Sequence, residues 1–286
     1  MSQQSPWQFP KAYTDVHAFR KIQLAWLTRP WLVWIAFSAT GLAFASIPDT
    51  QSAASLLAKY ASLGERLQYN PFGRTLALDS SESSSALRGD IYALVNYPFP
   101  TVSAALQDAE NWCDVLILHI NTKQCRARTG KANTVLRVSI GKKTAQPIED
   151  AYRIQFQAVP VGNGRTFLHL TYSYDYGLAG RLAMKTYLAT IGSGKVGFTI
   201  IGKLPSGQPK YIGGMRGVAE RNTMRYYLAI DAYLGALTAP PRLQFQKSLL
   251  RWFIATEQYP RQLHEVNQTA YIDMKRREYL RQQATQ

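Results

Sequence analysis

The stretch Tyr152-Arg-Ile-Gln-Phe-Gln-Ala-Val-Pro-Val-Gly-Asn-Gly-Arg-Thr-Phe-Leu-His-Leu-Thr-Tyr-Ser-Tyr-Asp-Tyr176 decides the fold class. Tyr152, Ile154, Phe156 and Ala158 alternate with Arg153, Gln155 and Gln157, the period of two expected of a half-buried strand. Gly162-Asn163-Gly164 accepts left-handed backbone, so the chain turns there. On the return strand Leu168, Leu170, Tyr172, Tyr174 and Tyr176 share one face, and His169, Thr171, Ser173 and Asp175 share the other. An antiparallel hairpin with one apolar face must bury that face against another layer.

Upstream, Leu56, Tyr60, Leu63 and Leu67 recur at helical spacing over 51–67, and Asn70-Pro71 stops that helix. Two strands are predicted at Arg74–Leu78 and Leu87–Tyr97, separated by a polar loop over 79–86. Pro98 and Pro100 end the second strand, and Thr101 caps a short helix to about Ala109. The apolar run Val115–Ile120 follows, and Thr134–Gly141 alternates like a strand. Downstream come a helix over Leu178–Ile191, a strand over Val196–Ile201, and an extended Lys210–Ile212 after the Pro205–Pro209 turn. A long helix over Gly217–Leu237 is closed by Pro240-Pro241, and two more follow at Leu243–Gln258 and His264–Gln283.

Of the 286 residues, 46% are hydrophobic and 18% charged, which is globular composition and excludes a disordered or fibrous chain. Lys11, Arg20, Lys21 and Arg29 precede a charge-free run from Trp31 to Ala45 that ends in Ala43-Phe44-Ala45, with Pro48 beyond. Basic flank, apolar run and small-x-small ending form an export signal, and the run is shorter than the ~20 residues of a spanning helix. We therefore expect residues 1–45 to be a cleaved signal and the protein to be periplasmic or secreted. The alternative is an inner-membrane anchor formed by residues 31–47.

The formal net charge is +15, and losing residues 1–45 leaves +12. Between 121 and 148 stand Lys123, Arg126, Arg128, Lys131, Arg137, Lys142 and Lys143 without an acid. That face suits an anionic membrane surface or is simply a solvated basic face; nucleic acid is not an expected partner outside the cytoplasm. Cys113 and Cys125 are the two cysteines. In an oxidising compartment such a pair forms a disulfide, provided the chain folds back near Asn121-Thr122-Lys123. His119 between them opens a metal reading, but three ligands lack a fourth, so neither a metal nor a cofactor is expected.

Gly192-Ser-Gly194-Lys-Val-Gly197 has dinucleotide-site spacing but precedes a strand instead of following one, so it reads as a glycine turn. His169 and Asp175 lie about 20 Å apart along an extended strand, too far to pair. No catalytic residue is assigned. On the long helix Glu220, Met224, Tyr227 and Asp231 share a face, while Arg221 and Arg225 stand one turn apart. Arg225 reads either as a ligand-anion contact or as part of an ion-pair network.

The strand Leu87–Tyr97 running through Pro98-Phe99-Pro100 into a short helix, the region Asn111-Trp112-Cys113, the antiparallel strands and the long helix together resemble the START/Bet v 1-like (helix-grip, SRPBCC) superfamily over roughly residues 70–238. The resemblance implies an α+β fold in which a curved antiparallel sheet grips a long C-terminal helix around an apolar tunnel. It divides the chain into a signal (1–45), a helix-grip domain with an N-terminal helix (46–238) and a helical extension (239–286). It implies non-catalytic binding or carriage of a lipid-like ligand lined by Phe156, Tyr172, Tyr174, Phe198, Glu220, Met224, Arg225 and Tyr227. Two other readings stand beside it: a cyclase- or aromatase-like enzyme using Tyr174, His169, Glu220 and Arg225, and a basic envelope-associated scaffold. The helix over Leu178–Ile191 departs from the superfamily pattern and reads as a lid.

Overall fold

A computed structural model describes residues 53–129, 134–140, 152–175, 186, 188–190 and 193–284. The segment 1–45 expected to be an export signal, most of the 178–191 stretch expected to be a lid and much of the basic stretch 121–148 lie outside the described residues.

In chain order the elements are α1 (Ala53–Leu63), β1 (Leu76–Glu82), β2 (Ala86–Val95), α2 (Phe99–Gln107), α3 (Ala109–Leu116), β3 (Thr122–Thr129), β4 (Thr134–Ile140), β5 (Tyr152–Pro160) and β6 (Thr166–Asp175). Then come β7 (Ile200–Lys203), β8 (Pro209–Tyr211), α4 (Gly214–Leu234), α5 (Pro241–Glu257), the short α6 (Pro260–Leu263) and α7 (Gln268–Gln283). The class is α+β. The main sheet is antiparallel in the order β1-β2-β6-β5, and β3–β4 and β7–β8 form separate two-stranded ribbons.

The hairpin that decides the class is β5–β6, with Phe156 opposite Leu170 and Ile154 opposite Tyr172. Its turn is built as read, with Gly162, Asn163 and Gly164 all at positive φ (81°, 52° and 65°). The predicted loop over 79–86 is shorter than expected. Asp79 to Glu82 continue β1, each paired with β2, and only residues 83–85 turn. The serines there are strand residues because a tertiary acceptor, described below, takes up Ser80.

The alternation sorts each strand between two layers. On β2 Leu87, Ile91, Ala93 and Val95, and on β6 Leu168, Leu170 and Tyr172, are buried. They belong to the faces covered by α4, which packs across β2, β1 and β6. Gly89 permits that approach, since a Cβ there would run into the Thr223 side chain and crowd the Ala219 carbonyl. On the opposite face, Phe167 packs with Leu56, Leu63 and Leu67 from α1 and the turn after it. Helix α4 is covered behind as well, because α5 packs on it and α7 on α5. Burial all round explains why α4 shows no single apolar stripe. The predicted extension 239–286 shares this core: Leu249, Trp252 and Tyr271 are buried in the same cluster as Met224 and Leu228.

Candidate functional site

The eight residues expected to line a tunnel separate into sealed and half-open sets. Met224, Tyr172, Tyr227 and Phe198 are buried, at 0, 3, 3 and 5% exposure. Tyr172 stacks on Tyr226 at 5.8 Å, and its hydroxyl accepts a hydrogen bond from Asn222. Phe198 lies elsewhere, between Phe72 and Tyr259 at 5.8 and 5.3 Å. Burial raises the Tyr227 phenol above its ordinary range, beside Arg74 and Asp231.

Glu220 is buried, and its carboxylate is fully engaged by neutral donors. Oε2 accepts from the Phe198 and Thr199 amides at 2.6 and 2.9 Å, while Oε1 accepts from the Ser80 and Thr199 hydroxyls at 2.6 and 2.7 Å. Gly197 makes this possible, because a Cβ there would sit 2.5 Å from Oε2. The glycine turn of the sequence therefore serves a buried acid. Arg225 faces a carboxylate of the chain itself. It is buried, with its guanidinium 2.5 Å from Glu265, which also receives Lys195 at 3.0 Å. Of the two readings of Arg225, the geometry supplies the ion-pair network.

The remaining two, Phe156 and Tyr174, are half-buried against the core. Phe156 meets Trp112 edge-to-face at 5.6 Å, and Ile154, Ala158 and Trp112 are half-buried beside it. Helix α3 fixes Trp112. Asp108 caps that helix by accepting from the Glu110 amide, and the Trp112 indole donates to the Leu106 carbonyl at 2.8 Å. The result is an apolar flank formed by β5 and α3, while Tyr174 at the end of β6 packs beside Leu87, Met215 and Ala219.

Directly behind Trp112, Cys113 and Cys125 form a disulfide with Cα atoms 5.1 Å apart. The fold-back begins at Ile117, earlier than expected, and β3 is already under way at Thr122. The segment it encloses is clamped by α7. Tyr271 donates to the Leu118 carbonyl at 2.8 Å, and Lys275 donates to the carbonyls of His119 and Thr122, both at 2.7 Å. Lys275 also meets Glu278 at 2.8 Å, and Lys123 pairs with the same carboxylate at 2.9 Å. The Gln282 side chain accepts from the Cys125 amide at 2.8 Å. Burial pushes the Lys275 ammonium down to about 7 despite Glu278. His119 is buried and stacks on Tyr226 at 4.5 Å. Among the described residues, no group of three or more His, Cys, Asp or Glu is placed to hold a metal.

His169 has an acid partner that sequence separation conceals. Its Nε2 lies 2.8 Å from Asp90 Oδ1, on the sheet face opposite α4. Burial disfavours the Asp90 carboxylate, yet hydrogen bonds from His169, Arg88 and Thr171 hold it well below the usual range. Thr171 Oγ1 lies 3.1 Å from that same Nε2, and Gln157 faces Nδ1 at 3.3 Å. A relay needs acid and nucleophile on opposite ring nitrogens, so this cluster has the wrong arrangement for one. Tyr92 stacks flat on His169 at 4.2 Å.

Among the described residues, no helix is long and apolar enough to cross a membrane. No family model matches this chain, and neither a curated protein nor a solved structure matches it.

Proposed function

We propose that this protein is a non-catalytic binder or carrier of an apolar, lipid-like molecule, and that the molecule lies along the flank of β5 and α3. One observation carries the reading. Ile154, Phe156 and Ala158 of β5 belong with the core yet remain half-buried, whereas Ile91, Leu170 and Tyr172 under α4 are sealed. Aromatic and aliphatic side chains left half-open beside a rigid Trp are what an apolar ligand covers. A helix-grip arrangement is the corresponding fold reading, with the ligand displaced from the centre of the helix to its side.

Glu220 and Arg225 direct their hydrogen bonds to protein groups, which favours binding over a cyclase-like reaction at those residues. The disulfide and the export-like residues 1–45 support work in an oxidising compartment such as the periplasm. Native mass spectrometry of protein purified without detergent tests the reading. A lipid-sized adduct is expected on the wild type and is lost from Phe156→Ala and Trp112→Ala while the fold persists. A wild type free of adduct that also takes up no fluorescent fatty acid contradicts it.

A further inference from the structure

Helix α5 carries apolar residues on two opposite sides. Its inner side presents Leu249, Trp252 and Ala255 to the core. Its outer side presents Leu243, Leu250 and Ile254, exposed by 42, 39 and 54%. The spacings of seven and four residues align these three on one stripe, directly opposite Trp252. On the neighbouring helix α7, Leu280 is 67% exposed one turn after Arg276, and Arg276 donates to Gln246 of α5 at 2.6 Å. The outer side of a surface helix is ordinarily polar, so four large aliphatic side chains together call for an occupant.

The charges say which occupant. Lys247 falls within the stripe and Arg242 flanks it, both exposed, while Arg251 on the other flank lies over Gly235 and donates to the Tyr97 hydroxyl at 3.4 Å. Long basic side chains beside aliphatic ones suit the bilayer boundary, where the stems lie in apolar surroundings and the charges reach anionic headgroups. A second copy of the chain is a poorer match, because a two-fold contact would set Lys247 and Arg242 against cations of the same kind. Lysine is also depleted from the centres of protein interfaces.

We infer that the outer face of α5, with Leu280 of α7, docks on an anionic lipid bilayer, inserting Leu243, Leu250 and Ile254 at headgroup depth. The inference is independent of the ligand reading, because the two surfaces share no residue.

The test uses the intact chain with Ile254→Cys carrying an environment-sensitive fluorophore; the native cysteines are bridged, so the new thiol takes the label. Adding vesicles of phosphatidylcholine with phosphatidylglycerol is expected to shift the emission to the blue. Phosphatidylcholine alone should give none, and high salt should reverse the shift. In co-sedimentation, Leu250→Asp and Lys247→Glu should each reduce the preference for anionic over neutral vesicles by about tenfold. Circular dichroism should show both variants folded. An unshifted label on anionic vesicles overturns the inference. A dimer that Leu250→Asp dissolves would do the same, by assigning the face to a second copy.

Discussion

The two halves of the sheet's inner face solve the same burial problem differently. Under α4 the chain brings Ile91, Leu170, Tyr172, Met224 and Leu228 together, all buried, and Gly89 lets the helix come close. On the β5 side, Ile154, Phe156 and Ala158 stay half-buried, and Phe156 meets α3 through Trp112. Close packing in the first half makes it a stability element. Incomplete cover in the second leaves half-open apolar surface, where the proposed ligand would lie. The difference teaches that a sheet and a long helix do not by themselves define a tunnel; the side chains between them decide whether space remains.

The largest expected effect separates the halves directly. Met224→Ala removes a fully buried side chain and should cost about 2–5 kcal/mol in denaturant unfolding, without a specific effect on bound lipid per folded molecule. Phe156→Ala truncates a half-buried ring and should cost about half as much while abolishing lipid binding. Equal stability losses with lipid binding intact in Phe156→Ala would erase the distinction.

Next in size is the bridge behind Trp112. Cys113→Ser opens a short loop and should cost about 3 kcal/mol on loop-entropy grounds. Since Cys113 lies on α3, lipid binding should weaken along with stability. Binding that survives unchanged would separate the flank from its support.

A further effect is a pH slope from Lys275, which holds the segment following α3. Its native ammonium is lowered to about 7, against 10.5 ordinarily. Between those values the unfolded chain binds the additional proton, so this residue's contribution to stability rises with pH across that window. The contribution is complete above 10.5 and is lost as pH falls through 7. Lys275→Met should flatten unfolding free energy against pH over that range; an unchanged slope would assign the titration to another group.

Much of the fold is legible in the sequence because its signals are local. The β5–β6 hairpin, its Gly162-Asn163-Gly164 turn, α1 and most of α4 follow from alternation, turn residues and helical spacing. The cysteine pair is legible from compartment and count. The strand at Asp79–Glu82 is not, since its polar residues owe their place to β2 and to Glu220, which lies 140 positions from Ser80. Nor is α7's inner face, where Tyr271, Lys275, Glu278 and Gln282 recur at helical spacing but are polar. Tyr271, Lys275 and Gln282 reach backbone groups of residues 118–125, to which no side-chain pattern points, and Glu278 pairs with Lys275 and Lys123. Reading His169 against Asp175 follows a single strand, whereas Asp90 reaches it from the neighbouring one. Within the candidate site, Phe156 and Tyr174 are legible as apolar strand residues. Trp112 enters the sequence reading only through a resemblance, because its contact with Phe156 depends on how α3 packs.

The central claim is that the apolar molecule contacts the flank and not the sealed centre. A photoactivatable fatty-acid analogue, cross-linked to the intact protein and mapped by peptide mass spectrometry, tests it most directly. Adducts on Trp112, Ile154 or Phe156, competed away by unlabelled fatty acid, are the predicted result. Adducts confined to Met224–Tyr233 of α4, or none at all, would contradict it.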